Sequence, residues 1–145
     1  TWNGRPVMAT PLLKAGKINV LDMHDWSLIK SIDTPGPGFF MRSHEKTPYA
    51  WTDSMMGGKK DTLSIIDKRT LEIVRSVTPE PGKTAAHVEF DKDGKHVLVS
   101  VWEDKGALVV YDAATFAEVK RLPMSKPSGK YNVWNKINFS DGTSH

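Results

Sequence analysis

Apolar residues fall in short runs along this chain, each broken by Asp, Gly or Pro within a few positions. Lys17-Ile18-Asn19-Val20-Leu21-Asp22, Glu72-Ile73-Val74-Arg75-Ser76-Val77 and Val97-Leu98-Val99-Ser100-Val101 have the length of strands. Each is bounded by the residues that favour turns. No segment sustains the 3.6-residue period of a long amphipathic helix. The pattern predicts an all-β chain.

The runs also recur. Lys17–Asp22, Leu63–Asp67 and Ala107–Asp112 each end an apolar strand on an aspartate, and Asp22, Asp67 and Asp112 lie 45 residues apart. Trp26, Leu71 and Phe116 keep the same spacing, as do Lys30, Arg75 and Lys120, and then Ile32, Val77 and Leu122. A period of about 40–50 residues points to propeller blades or to helical arrays. The local grammar decides for blades, because each copy reads as strand, Asp-led turn and second strand.

The first half of the unit repeats as well. His87–Ser100 is a strand, an Asp-Gly turn and a strand, and Phe40–Asp53 has the same rhythm. Gly4–Thr10 reads as the end of an earlier copy. Residues 1–145 are therefore expected to form one partial propeller domain of three to four four-stranded blades. Three full units are too few for a ring of about four to eight blades. The start at Thr1-Trp2-Asn3-Gly4 reads as a cut edge.

Composition narrows the function classes. With 39% apolar and 26% charged residues, the chain has a globular mix. The net charge of +3 is spread along the chain, which argues against a nucleic-acid partner. No apolar stretch approaches the roughly 20 residues of a membrane-spanning helix. The absence of cysteine excludes a thiolate nucleophile, a disulfide and a covalently attached c-type haem within this chain.

Ligands of propellers sit around the central channel, which the innermost strands line. The segments entering those strands are Pro35–Phe40 and Pro81–His87. His24 and His96 read as surface positions. His44 and His87 flank inner strands and carry two readings, a hydrogen-bonded strand-end histidine or a residue beside a metal cofactor. Trp102 ends an apolar strand, a place for a core residue or for stacking on a flat ligand. Pro127–Asn135 breaks the blade rhythm and is either a closing strand or a site. As a site, Ser128 and the Gly129 amide suit a carboxylate, and Tyr131 offers a phenol. There is no nucleophile elbow, P-loop or dinucleotide fingerprint, so chemistry here would rest on a bound cofactor.

At these residues the chain resembles the d1-haem domain of the cytochrome cd1 nitrite reductase family, which includes proteins that make haem d1. Pro127-Ser128-Gly129-Lys130-Tyr131-Asn132-Val133-Trp134-Asn135 is similar to the family's T-P-T-G-K-F-N-V-Y-N. Gly38–His44 is similar to its S-L-F-I-K-T-H, and Phe90–Trp102 to its Y-N-K-R-G-D-E-V-W-F-S-V-W. The strand Ala107–Asp112 fits its A-L-V-V-V-D.

The resemblance implies the C-terminal part of an eight-bladed periplasmic propeller with one non-covalent haem d1 in its channel. Phe40 and Trp102 would line the macrocycle, and Ser128 and Gly129 would bind a haem carboxylate. A proximal histidine and any haem c would lie in the missing N-terminal part. Two departures point within the family. His87 stands where the reductases are expected to have glutamine, and Tyr131 replaces the phenylalanine of the closing motif. The pair favours the biosynthetic branch, which oxidises dihydro-haem d1 to haem d1 and passes electrons to a cytochrome. In that branch His87 would act as base or ligand, and Tyr131 as axial ligand or proton donor. Nitrite reduction to nitric oxide is the alternative, and a non-catalytic haem d1 carrier or scaffold is a further one.

Overall fold

The computed structural model describes residues 1–130. Eleven strands and no helix occur among them. They are β1 (Val7–Pro11), β2 (Lys17–Asp22), β3 (Leu28–Asp33), β4 (Met41–Ser43), β5 (Tyr49–Asp53), β6 (Leu63–Asp67), β7 (Glu72–Val77), β8 (Ala85–Phe90), β9 (His96–Val101), β10 (Gly106–Asp112) and β11 (Glu118–Met124). Three antiparallel sheets result, β1-β2-β3, β4-β5-β6-β7 and β8-β9-β10-β11, each strand paired to its neighbour in sequence. The last two are four-stranded meanders of the kind expected for propeller blades.

The 45-residue repeat has a single physical form. Asp22, Asp67 and Asp112 each close a third strand and cap the turn that follows. Their carboxylates accept the N–H of His24 at 2.8 Å, of Arg69 at 2.8 Å, and of Ala114 and Thr115 at 2.9 and 2.7 Å. Four residues on, the N–H groups of Trp26, Leu71 and Phe116 return to the three aspartate carbonyls at 2.8, 2.8 and 2.9 Å. All three residues are left-handed, with φ of 63°, 56° and 63°. That conformation costs a side-chain-bearing residue about 1–2 kcal/mol.

Packing on the preceding sheet offsets the cost. Leu71 is buried with Ile18, Val20 and Ile32 of the first sheet. Phe116 meets Tyr49 and Trp51 of the second sheet edge-on, at centroid distances of 4.8 and 5.9 Å. Burying a Leu or Phe side chain contributes about 1.5–3 kcal/mol, comparable to the backbone strain. Trp26 occupies the same position on the first sheet and is 58% exposed.

The middle sheet is covered on both faces. Leu63 and Ile65 of β6 pack toward the third sheet and Ile66 toward the first. Alternation along the strand sends these neighbours to opposite faces. The pairing of β6 with β7 shifts register at Ile65/Ile66, where β7 carries the extra residue Val74, and the first and third sheets carry the same irregularity at Val20/Leu21 and at Val110/Tyr111. Every residue of β6 is buried, so its sequence reads as a continuous run rather than an alternation. The outer strand β11 is largely exposed and tolerates Pro123 because an edge strand need not donate on its free side.

The first sheet has three strands instead of the expected four. Its β1 corresponds to β5 and β9, the second strands of the other sheets. Residues before β1 make a bridged turn, Trp2 to Arg5, and no inner strand. A groove of about 860 Å³ runs between the first and second sheets, lined by Trp2, Val7, Val20, Met41, His44 and Leu71 among others.

Trp51 is fully buried between the second and third sheets, and its indole N–H has no partner among the described residues. Trp51→Ala is expected to lower stability by about 3–5 kcal/mol through the cavity it opens. Trp51→Phe removes the unpaired donor along with part of the ring and should cost less than about 2 kcal/mol. Denaturant unfolding of the two variants measures the difference.

Candidate functional site

The inner strands β4 and β8 meet side by side, and three chain segments converge where they begin. His87 lies inside β8 rather than in the loop before it, as its place in Pro81–His87 suggested. Pairing of Ala86 with Ser100 and of Glu89 with Leu98 leaves His87 and Val88 together opposite Val99. His87 is held at φ 55° in this bulge. Bulges re-aim side chains, and a left-handed residue with a Cβ stores about 1–3 kcal/mol of strain.

The bulge points the imidazole at aromatic rings. Phe40 meets it edge-on with centroids 4.3 Å apart, and Trp102 lies tilted at 5.7 Å. Phe39 in turn stands edge-on to Phe40 at 4.6 Å. Phe39 and Trp102 remain 52% and 40% exposed, so an aromatic edge is open to solvent. His87 Nδ1 accepts the Gly129 N–H at 3.2 Å, which leaves the proton of a neutral ring on Nε2. Burial, and then the nearby Lys130 charge, hold this imidazole below its ordinary pKa.

Asp53 ties two of the segments together. It is fully buried at the end of β5, and its carboxylate accepts the Phe39 N–H at 2.8 Å and the Phe40 N–H at 3.2 Å. The Phe40 carbonyl receives the Asp53 N–H at 3.2 Å and the Thr52 hydroxyl at 3.1 Å. Burial pushes the Asp53 carboxyl up to about 6, against the amides of Phe39, Phe40, Met55 and His87, which all stabilise its charge. Gly38 passes so close that a Cβ there would stand 2.2 Å from the Asp53 carbonyl oxygen.

A polar layer lies beneath the aromatic edge. Arg42 Nε and the buried Glu89 carboxylate are 3.6 Å apart, and Glu89 also accepts the Phe90 N–H at 2.9 Å. Lys130 donates to the Ser100 hydroxyl. Burial pushes the Lys130 amine down to about 8, with Glu89 opposing. A cavity of about 60 Å³ is lined by Phe40, Arg42, His87, Val88, Gly129 and Lys130.

The structure thus brings together Phe40, His87, Trp102 and Gly129, with Ser128 exposed beside Gly129. His44 is not part of this cluster. It lies past the far end of β4, 3% exposed, where its Nδ1 accepts the Lys46 N–H at 3.1 Å and its carbonyl accepts Lys68 Nζ at 2.9 Å. Its ring abuts Gly94, where an added Cβ would stand 2.4 Å from Nδ1. Tyr131 lies outside the described residues. Among the described residues no group of three His, Asp or Glu side chains is placed to hold a metal, and no helix is long and apolar enough to cross a membrane.

Sequence reasoning missed Asp53, Glu89 and Lys130. A signal existed for the first two, since each is a charged residue within an otherwise uncharged strand. Their depth follows only from the packing of the second sheet against the third.

Comparison with known proteins places this geometry. The sequence profile of the cytochrome D1 heme domain matches residues 1–136. The chain belongs to that family. It is 59% identical over 143 residues to Dihydro-heme d1 dehydrogenase of Pseudomonas aeruginosa, covering 99% of this chain and 29% of that protein. It is 29% identical over 119 residues to Protein NirF of the same organism, covering 82% of this chain and 29% of the relative. The chain therefore spans under a third of the curated relatives it matches. A solved structure of Dihydro-heme d1 dehydrogenase NirN in complex with DHE superposes with a TM-score of 0.92 at 58% identity, over 94% of this chain and 29% of that one. Kuenenia stuttgartiensis Hydrazine Synthase shares the fold, with a TM-score of 0.72 at 18% identity over 85% of this chain and 35% of that one. The all-strand sheets are accordingly those of a propeller.

Gly38→Ala is expected to lower the thermal midpoint, with a loss of about 1–3 kcal/mol from the forced shift. Gly58→Ala, where an added Cβ meets nothing within 4 Å, serves as the neutral control. Calorimetry of both variants decides whether the close approach at Asp53 is as tight as the geometry requires.

Proposed function

We propose that this chain is part of a periplasmic haem d1-binding redox protein and that the full protein oxidises dihydro-haem d1 to haem d1. The observation carrying this reading is the convergence of His87, Phe40 and Trp102 on one open edge. It is supported by 59% identity to part of a protein named for that reaction.

The residues suit a flat macrocycle that bears carboxylates. Phe39, Phe40 and Trp102 offer aromatic faces and edges. The Ser128 hydroxyl, the Gly129 N–H and the Lys130 amine are donors for a carboxylate. The Gly129 N–H is engaged by His87 here, so a carboxylate that captured it would free Nδ1 to accept a proton. His44 has no part in this contact set.

Oxidation of the dihydro form breaks two C–H bonds and turns one C–C single bond into a double bond. Two protons and two electrons leave. His87 accepts one proton in this reading and solvent takes the other, while Tyr131 would hold the iron or serve as proton donor. The electrons pass one at a time to a c-type haem, itself served by an electron-transfer cytochrome of the periplasm. The haem c and a proximal histidine belong to other parts of the protein.

Absorption titration of the full-length protein with haem d1 and with dihydro-haem d1 tests the reading. Binding of the dihydro form, followed by conversion of its spectrum to that of haem d1, is the expected result. His87→Ala should then lower turnover by about 10²–10⁴-fold, the usual worth of a general base, with affinity changed far less. Because the neutral ring is the active form and its pKa lies below the ordinary 6.5, turnover should fall on the acid side only below that pH. Release of nitric oxide from nitrite would establish the reductase instead. Binding of haem d1 without turnover would leave a carrier, and binding of neither tetrapyrrole sinks the proposal.

A further inference from the structure

We propose that Asp53 is the positioning residue of this site, the group that fixes the Phe40 loop against which the His87 ring packs. The inference rests on the dehydrogenase reading for its catalytic consequence and on the geometry alone for its structural one.

Three observations carry it. Phe40 and His87 lie 47 residues apart, on different sheets, and meet edge-on across the seam between them. Neither segment is regular. The loop before β4 has no strand pairing until Met41, and β8 breaks its ladder at His87. At the base of the loop stands one fully buried carboxylate, which accepts the Phe39 and Phe40 amides at 2.8 and 3.2 Å. The loop that carries Phe40 is therefore referred to the two Asp53 oxygen atoms, and through the Phe40 ring so is the His87 imidazole.

Stability alone is a poor account of a carboxylate in that place. Removing an ionised group from water is costly even when hydrogen bonds meet it, and burial does work against the charge here. Asparagine or serine would cap the same strand end at lower desolvation cost. What neither offers is two oxygens that each accept an amide without presenting a donor. The close approach of Gly38 to the Asp53 backbone, and the return bonds from Asp53 N–H and Thr52 to the Phe40 carbonyl, make the contact two-sided. Phe40 is thus gripped at both its N–H and its C=O by adjacent residues of β5.

Asp53→Asn is nearly isosteric but turns one oxygen into a donor facing an amide donor. The first test needs no tetrapyrrole. In the apo full-length protein, diethylpyrocarbonate modification of His87, followed by peptide mass spectrometry, reports how firmly the bulge holds the ring. D53N is expected to raise the rate at His87 several-fold and to leave His24 and His96 at their wild-type rates. The second test uses the loaded protein. A misplacement on the scale of an ångström costs up to about 100-fold in rate, so D53N should lower kcat by roughly tenfold or more with little change in affinity. In a His87→Ala background it should lower kcat no further.

An unchanged His87 rate in folded D53N overturns the proposal, as do independent, multiplying effects of D53N and H87A. Should D53N not fold, Asp53→Ser replaces it. Failure of both to fold assigns Asp53 to stability and also overturns it. A wild-type protein that binds no tetrapyrrole would defeat the proposed function, and the modification experiment would still decide the role of Asp53.

Discussion

Covering one sheet's face with the next is the interaction on which this structure depends. A meander of short strands has too little apolar area on its own to outweigh the conformational entropy of ordering it. Leu71 and Phe116 show how the chain solves the problem, because each accepts a left-handed backbone in order to reach the sheet before it. The aspartate ahead of each makes that conformation accessible by capping the turn from its side chain. Strain and burial are thus set against each other at Leu71 and Phe116, at comparable size.

The site follows from the same stacking. Strand β4 has only three residues, so the loop ahead of it runs free along the seam beside β8. Phe40 and His87 meet there because the second and third sheets pack together, and neither residue would face anything without that contact. Asp53 ends a core strand of one sheet and accepts the Phe39 and Phe40 amides beside the seam. Its placement converts the rigidity of the core into order at the edge.

Electrostatics in this region run in one direction. Burial raises the Asp53 carboxyl, lowers the Lys130 amine and lowers the His87 imidazole, so each is pushed toward its neutral form. Asp53 and Lys130, moved to about 6 and about 8, change protonation closer to neutral pH, which is the property acid–base chemistry needs. It coincides with an open aromatic edge and with strain at His87. His44 stands apart from this pattern, since backbone groups and Gly94 account for its ring and its depth.

How much could be read in advance differs between fold and site for a physical reason. Strand positions, the Asp-led turns and the 45-residue period are local properties, written in alternation and turn residues, and they determined the sheets by themselves. The family resemblance likewise directed attention to Phe40, His87, Trp102, Ser128 and Gly129. Local pattern carries no information about which strand end meets which. It could not separate His44 from His87, because both read as flanking an inner strand and only the packing of sheets shows that His87 meets Phe40 and Trp102. It also left Asp53 looking like the polar end of a strand. The tertiary structure decided that Asp53 is buried and faces amides 13 and 14 residues away in sequence. Burial, and the pKa shifts and positioning that come with it, arises from contact across sheets, and contact is a property of the folded chain alone.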